Sequence, residues 1–507
     1  MEIYQRLKKA SSQSEIGKLF SHSMIYAIGI IAQRAIGFLM IPIYTHYLSP
    51  DDYGIIELLD TTFEVIGIFV GLGITASMTR FYYSYLDQKN RNLVVSTSII
   101  ISIFMFSLGL SIVFILSDKF SLLIFGKEKF SSYLKLMTIG FFLTRVLELP
   151  LVYIRVKQES IKFIIIGLIR LIVALSLNVY LICFQNMGIL GILYSNIITS
   201  GIFCVFLLTS MLWEIKIRFS KKIAAELIKY GSPLIISFFG NFILTFSDRY
   251  FLRVFYSLSE VGVYALGYKF AGIIAVVINI PFSMIWAPKK FEIANMANSE
   301  EIYSKTLKHY SFFLISVGLG LALFIEPVIK FVTSEVYYTA HTVVPFLALS
   351  YIFKGWFGFT NIGILISKKT IYHSISYLIG SIACIISNYV CISTFGMIGA
   401  AIATDISFLV LILCSNYFSK RLYKVRYDWM NIIKLLVFAT IIYSVIYFIV
   451  IDKSLIISLC LRIVGFCLFL VFVFTGGYYS VENILLFLKK IKQIVSGKEQ
   501  NHLMAKY

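Results

Sequence analysis

The sequence has 507 residues, of which 59% are hydrophobic and only 14% charged, and soluble domains do not bury that much apolar surface. The net charge is +19, but the basic residues lie in short segments between long apolar runs, a distribution that indicates membrane topology and lipid contact and argues against nucleic acid. Because a helix of about 20 apolar residues crosses a bilayer, the composition predicts an all-α integral membrane protein.

The apolar runs predict about 14 transmembrane helices, each boundary being uncertain by a few residues. The predicted spans are 23–46, 54–79, 92–117, 131–154, 163–184, 188–212, 231–252, 261–286, 309–332, 340–366, 371–394, 396–418, 431–451 and 454–477. Residues 1–22 are predicted to form a cytoplasmic amphipathic segment and not a signal peptide. The run behind them is too long for one, contains Arg34 and lacks a small-residue cleavage site.

Lysine and arginine crowd alternate connections between the spans, as in 216–222, 287–291, 366–369 and 419–426. By the positive-inside rule these connections and both termini are cytoplasmic. The protein is therefore predicted to be a multi-pass membrane protein whose basic loops contact anionic lipid headgroups.

Two short motifs recur at one spacing. Gly54 and Gly262 lie in similar polar turns, YTHYLSPDDYG and FYSLSEVGVYALG, and are 208 residues apart. The same offset separates the glycine pair at 188 and 191 from the pair at 396 and 399. Two distant matches at one offset indicate an internal duplication.

The duplication divides the chain into parallel halves, because each repeat contains six spans and an even number preserves direction. We predict a six-helix bundle at 23–212, a cytoplasmic linker at 213–230 and a second six-helix bundle at 231–418. Two extra helices follow within 431–477, and residues 478–507 form a cytoplasmic tail.

The stretches IGFLMIPIYTHYLSPDDYGIIELL (36–59) and LIKYGSPLIISFFGNFILTFSDRYFLRVFYSLSEVGVYALGYKFAG (227–272) resemble signature stretches of bacterial polysaccharide flippases. These belong to the multidrug/oligosaccharidyl-lipid/polysaccharide exporter superfamily. The resemblance implies that the protein lies in the bacterial cytoplasmic membrane and works by alternating access of a cleft between the two halves. It also implies a lipid-linked oligosaccharide as cargo, carried on undecaprenyl pyrophosphate. A polysaccharide polymerase and glycosyltransferases are the further partners it suggests.

Charged residues inside spans are the second indication of a transport path, since each costs about 2.5–3.5 kcal/mol at mid-bilayer on insertion scales. In the resembling family, spans 1, 2, 7 and 8 line the cleft, and arginine and lysine suit a pyrophosphate. The candidate cleft residues on these spans are Arg34, Asp60, Glu64, Arg249 and Lys269. Snorkelling into headgroups is the alternative for Glu57 and Arg249, and a structural ion pair is the alternative for the deeper charges.

Arg145 and Lys354 lie 209 residues apart, within one residue of the repeat offset, on spans 4 and 10, so we add both as candidate cleft residues. Glu148 lies one turn from Arg145, and local pairing between them is an open alternative. Arg170 is a weaker candidate.

A coupling cation is a further expectation from the resemblance. Asp248, Asn388, Thr404 and Asp405 supply oxygen atoms of the kind that a hard cation prefers, all from the second half. Sodium or a proton would then drive export, with no other cofactor. A hydrogen bond from Asn388 to a neighbouring helix is the alternative.

Catalysis is not predicted. The sequence contains no G-x-x-x-x-G-K-[ST] loop and no H-E-x-x-H motif, and its largest outer loop, 117–130, is short. The seven cysteines lie inside predicted spans without a C-x-x-C pair and are interpreted as apolar filling. The rival interpretation is a cation-coupled drug or metabolite antiporter of the same superfamily, and the embedded Arg34 and Lys269 favour an anionic cargo over it.

Overall fold

The computed structural model describes residues 37–451, 453–475 and 478, and these form helices with no strand. The all-α prediction is confirmed for this part of the chain. Eleven helical segments within it are long and apolar enough to cross a membrane. The number fourteen and the placement of the termini stay predictions, because the first predicted span lies mostly outside the described residues.

The first half contains α1 (Met40–Tyr47), α2 (Pro50–Gly71), α3 (Ile74–Ser84), α4 (Gln88–Ile115), α5 (Ser117–Phe125), α6 (Ser131–Val156), α7 (Ser160–Val179) and α8 (Gly188–Ile215). A 3-10 turn at Glu128–Phe130 follows α5, and a π-helical turn at Tyr180–Phe184 extends α7. Helices α4, α6 and α8 pack together as the centre of this N-terminal bundle.

The second half contains α9 (Lys221–Gly231), α10 (Leu234–Phe255), α11 (Leu258–Ala271), α12 (Ile280–Ile293), α13 (Ser299–Val332), α14 (Val344–Thr360), α15 (Ile362–Ile366), α16 (Ile371–Leu422), α17 (Trp429–Val450) and α18 (Leu455–Thr475). A π-helical turn at Ala275–Asn279 precedes α12, and a 3-10 helix at Glu335–Thr342 precedes α14. Helices α10, α14 and α16 form the centre of this C-terminal bundle, and α17 and α18 pack on α13.

Both repeated motifs have a structural reason. Ser49 and Ser257, 208 residues apart, are the N-caps of α2 and α11, and their side chains accept hydrogen bonds from the N–H groups of Asp52 and Glu260. A serine cap with an acidic residue three positions later is the capping-box pattern. The acidic position of the repeated turn is therefore a helix-start signal.

The second motif turns the chain. Gly188 and Gly396 have φ angles of 53° and 56°, a left-handed region that glycine adopts without steric cost. Gly396 is the point at which α16 reverses, so this element holds the two predicted spans 371–394 and 396–418.

Predicted span 54–79 is not one continuous helix. Leu72 and Gly73 have φ angles of 47° and 64° and separate α2 from α3. Backbone of Gly231, the last residue of α9, packs against this break, and Ser77 Oγ donates to Leu227 O at 2.9 Å. The basic linker helix α9 is thereby fixed to the N-terminal bundle.

We call the end of the molecule formed by Leu48, Phe125, Tyr256 and Tyr337 the outer end, after the predicted topology. Contacts such as Tyr337 Oη to Leu48 O at 3.0 Å bring these turns together. The opposite, inner end carries the basic connections, for example where Ser96 Oγ bonds to Arg218 O at 2.7 Å. The two ends alternate along the chain as the charge pattern predicts.

Candidate functional site

The two bundles meet along α2 and α11. A Cβ atom on Gly54 would lie 2.0 Å from the carbonyl oxygen of Leu258, and one on Gly262 would lie 2.0 Å from that of Pro50. The duplicated glycines thus face each other's helix start, one from each bundle. Only glycine allows two helix backbones to approach this closely.

Polar contacts between the bundles follow this crossing inward. Lys269 Nζ donates to Tyr53 Oη at 2.7 Å, Arg249 Nε to Glu57 Oε1 at 3.2 Å, and Thr62 Oγ1 lies 2.9 Å from Tyr250 Oη. Arg253 donates to the Phe125 carbonyl at the outer end. The outer half of the cleft is closed by these pairs together with the glycine contact.

Arg249 is the most deeply buried of the cleft charges, with 1% of the residue exposed. Its Nη1 donates to Asp248 Oδ1 and to the Thr245 carbonyl, both at 2.7 Å, while its Nε donates to Glu57. The ring of Tyr268 lies 4.1 Å below its guanidinium carbon. Snorkelling into headgroups is therefore wrong for Arg249, because its charge is compensated inside the protein by two carboxylates.

Asp60 and Lys269 have side chains that other protein atoms leave uncovered, although both lie deep in the molecule on the helices that join the bundles. Lys269 lies within electrostatic range of both Glu57 and Asp60. Two exposed charges at the meeting helices are expected where an aqueous cleft reaches between the bundles.

A cavity of about 320 Å³ continues from this point toward the inner end. It is lined from the N-terminal bundle by Glu64, Arg145 and Glu148, and from the C-terminal bundle by Asn241 and three phenylalanine side chains. Arg145 donates to Glu64 at 2.6 Å and to Glu148 at 3.3 Å, and stacks on Phe141. Local pairing with Glu148 is thus present, together with a second, closer carboxylate.

The predicted coupling residues are only partly brought together. Asp248 Oδ2 accepts hydrogen bonds from Tyr264 Oη at 2.5 Å and from Thr404 Oγ1 at 3.4 Å. Asn388 donates to Ser247, the neighbour of Asp248, so the interhelical hydrogen bond that was the alternative for Asn388 is present. The Oδ1 atom of Asn388 is buried and has no partner among the described residues.

Three other predicted residues lie elsewhere. Asp405 accepts a hydrogen bond from Ser350 at 2.5 Å and does not join the Asp248 group. Lys354 lies 5.8 Å from the Phe408 ring and forms no ion pair with a described residue. Arg170 reaches Ser200 on α8 at 3.5 Å, away from the cleft. Arg34 lies outside the described residues.

The sequence reasoning missed the tyrosines of the site. Tyr53, Tyr250 and Tyr264 each bond a cleft residue, and Tyr264 is fully buried. Tyr53 directly precedes Gly54 of the repeated motif, and this position was the available signal. Tyrosine is common in membrane proteins, so the residue type alone did not indicate a functional role.

Comparisons with known proteins agree with this architecture. A family model described as "Polysaccharide biosynthesis protein" matches residues 43–342, more than half of the chain. A membrane protein of Haemophilus influenzae described as uncharacterized is 23% identical over 266 residues, which are 51% of this chain. The match spans 62% of that relative, less than two thirds of its length.

Two solved structures share the fold. A structure of the lipid II flippase MurJ in an inward closed conformation superposes with a TM-score of 0.69 at 14% identity, covering 90% of this chain and 98% of that one. An inward-facing multidrug resistance transporter of the MATE family, in the MOP superfamily, gives a TM-score of 0.63 at 12% identity, covering 79% and 94%. At these identities the likeness concerns the fold alone.

Proposed function

Because this chain belongs to the polysaccharide biosynthesis protein family, we propose that it is a flippase for a lipid-linked oligosaccharide. The cargo would travel on undecaprenyl pyrophosphate from the inner to the outer leaflet of the bacterial cytoplasmic membrane. It would serve the synthesis of O-antigen, capsule or exopolysaccharide. The family match and the shared fold support the broader part of this proposal, a multi-pass membrane transporter.

The observation that carries the proposal is a cleft between two bundles, closed at its outer half and hollow inward of that closure. The pairs at Tyr53, Glu57 and Thr62 seal the bundles on one side, and the cavity at Glu64 and Arg145 lies on the other. Opening one end while the other closes would expose the same cavity to each leaflet in turn, as parallel repeats allow.

Binding of a pyrophosphate would use the cations of this cleft. Arg145 presents a planar fork to the cavity, and Lys269 is an exposed point charge farther out. Arg145 is paired with Glu64 and Glu148 in this structure, so a phosphate would have to displace at least one of these carboxylates. Arginine binds phosphate bidentately, which gives the cargo a means to compete with a single carboxylate.

The same two carboxylates favour a second candidate function. Glu64 and Glu148 are about half exposed toward the cavity, at 49% and 42% of their side chains. Paired carboxylates in a cleft suit a cationic cargo, as in a cation-coupled drug or metabolite antiporter. The pair already holds Arg145, however, which lowers its capacity to bind a second cation.

A coupling cation would fit best at Asp248, Thr404 and Asn388. All three offer oxygen atoms, and the buried Asn388 Oδ1 has no partner among the described residues. Sodium accepts such ligands, and a proton could bind the carboxylate. Asp248 already pairs with Arg249, so the negative charge available to a cation there is reduced.

The deciding experiment follows the carrier lipid. In a deletion strain, a flippase of this type leaves synthesis intact and traps the finished lipid-linked oligosaccharide on the cytoplasmic side, which slows growth. Inactivating the first glycosyltransferase should relieve the growth defect, because no carrier is then trapped. Normal surface polysaccharide, no trapped intermediate and sensitivity to cationic dyes would establish the antiporter instead.

A further inference from the structure

We infer that Arg249 is a coupling residue that links the charge at Asp248 to closure of the outer end. Its guanidinium is shared between two carboxylates on different bundles, Asp248 on α10 and Glu57 on α2. This inference rests on the proposed transport function, although it concerns the motion of the bundles and not the identity of the cargo.

The sharing is specific in its geometry. Nη1 faces Asp248 and the Thr245 carbonyl, and Nε faces Glu57. The backbone N–H of Arg249 also donates to Asp248 Oδ1 at 3.0 Å, which holds the Asp248 carboxylate next to Arg249. Only the contact to Glu57 can break when the bundles separate, because Asp248 and Arg249 move together on one helix.

The direction of the coupling follows from charge. With the outer end closed, the buried carboxylate of Asp248 and the largely buried carboxylate of Glu57 share one guanidinium and repel each other. With the outer end open, Arg249 and Asp248 remain a neutral pair, and Glu57 gains access to water. A positive charge at Asp248 removes the repulsion only in the closed arrangement, so it favours closure.

Reciprocity gives the consequence for transport. If a cation at Asp248 favours closure of the outer end, closure must raise the affinity of Asp248 for that cation by the same factor. A cation that enters from outside would therefore close the outer end behind it. This order is the one that a cation-driven exporter requires when it returns to accept cargo from inside.

A neighbouring charge also influences closure of the outer end, but it does not connect Asp248 with Glu57. Lys269, on α11, lies within electrostatic range of Glu57 and Asp60, and therefore also favours closure. Within the described part of the chain, Lys269 forms no hydrogen bond or ion pair with Asp248, whereas Arg249 contacts both carboxylates directly. Arg249 is thus the residue through which a change at Asp248 reaches Glu57.

The test measures the outer-end distance in purified full-length protein in lipid nanodiscs, without cargo. Spin labels are placed at Leu123→Cys and Phe395→Cys, which are exposed outer-end positions of the two bundles, in a background without native cysteines. Asp248→Asn should shift the population toward short distances by about 5- to 150-fold, the usual range of site coupling. Glu57→Gln should shift it toward long distances.

The double variant makes the inference specific. Asp248→Asn combined with Glu57→Gln should behave like Glu57→Gln alone, because Arg249 then has no partner on the other bundle. Arg249→Lys should keep a reduced response to Asp248→Asn, and Arg249→Gln should abolish it. Glu292→Gln, which removes a carboxylate from an exposed inner-end pair, is the matched control and should change nothing.

Each result has a distinct meaning. If Asp248→Asn leaves the distances unchanged, or closes the outer end equally without Glu57, the coupling role of Arg249 is overturned. Replacing choline chloride by sodium chloride at constant ionic strength, and separately lowering the pH, examines the coupling cation itself. A response of the variants without any response to sodium or pH supports Arg249 and contradicts only the coupling cation of the proposed function.

Discussion

Single charged residues of the two bundles differ in where their partners lie. Arg145 binds two carboxylates of its own bundle, whereas Arg249 and Lys269 reach across to α2. Removing one partner of a buried ion pair costs about 3–5 kcal/mol, because the other charge is left uncompensated. The pairs across the bundles avoid this cost only if water reaches their partners when the outer end opens.

Lys269→Ala should abolish export of surface polysaccharide without lowering the protein level, because Lys269 is exposed in the cleft and its loss leaves no buried charge unpaired. Tyr53→Phe removes only the hydroxyl that Lys269 contacts at 2.7 Å. Export by this variant should fall much less. If both variants lose export equally, the contact between Lys269 and Tyr53 matters, and not the positive charge itself. Immunoblotting and quantified surface polysaccharide give the two readouts.

Arg145→Ala should reduce export more than Arg145→Lys, because lysine keeps the charge but loses the planar fork. Arg421→Ala is the matched control, since Arg421 is an exposed inner-end arginine stacked on Tyr417. Export rates in cells with equal protein levels are the measurement. An Arg145→Ala variant that exports normally would remove this residue from the cargo site.

The charged residues of the cleft could be found from the sequence, because charge inside an apolar run is conspicuous. Their partners could not. Arg249 and Glu57 are separated by 192 positions, and spacing cannot show which helices of different bundles meet. Glu57 and Arg249 both lie near the outer ends of their spans. From the sequence alone, contact of these side chains with lipid headgroups was therefore as well supported as contact with each other across α2 and α11.

Helices α2 and α11 show how far a repeat can be interpreted. The matching glycines were evident from the offset, and the structure adds that they pack against each other's helix start. The break between α2 and α3 was not predicted, although Gly71 and Gly73 flank it. It is supported by Gly231, a contact that is remote in sequence, so local propensity contained too little information.

Gly54→Ala and Gly262→Ala should each force α2 and α11 apart, because the added methyl group would lie 2.0 Å from a backbone carbonyl oxygen. Overpacking of this kind costs about 1–3 kcal/mol, so we expect lower thermal stability and loss of export. Gly358→Ala is the control, since nothing lies within 4 Å of its Cβ position. The control should be neutral or gain about 1 kcal/mol from better helix propensity. Unchanged stability and export in both test variants would contradict the close crossing.

The duplication places equivalent features of the two bundles at the same end of the protein. The capped starts of α2 and α11 meet at the outer end, and the basic connections gather at the inner end. Because the repeats run parallel, knowing on which side of the membrane one connection lies determines the side of every other connection. The charge pattern predicts that assignment, and the structure supplies exposed positions that leave the helix caps intact.

We expect Gln185 and Thr339 to face the outside and Lys222 and Lys369 to face the cytoplasm. All four are exposed, whereas Ser49 and Ser220 are helix caps, and substituting a cap costs about 1 kcal/mol. Single cysteines at the four positions, in a background without native cysteines, are treated in whole cells with an impermeant thiol reagent and again after permeabilisation. Gln185→Cys and Thr339→Cys should react in whole cells, and the lysine variants only after permeabilisation. Gln185 lies in the N-terminal bundle and Thr339 in the C-terminal bundle, so labelling of only one of the pair from outside would mean that the halves are inverted and not parallel.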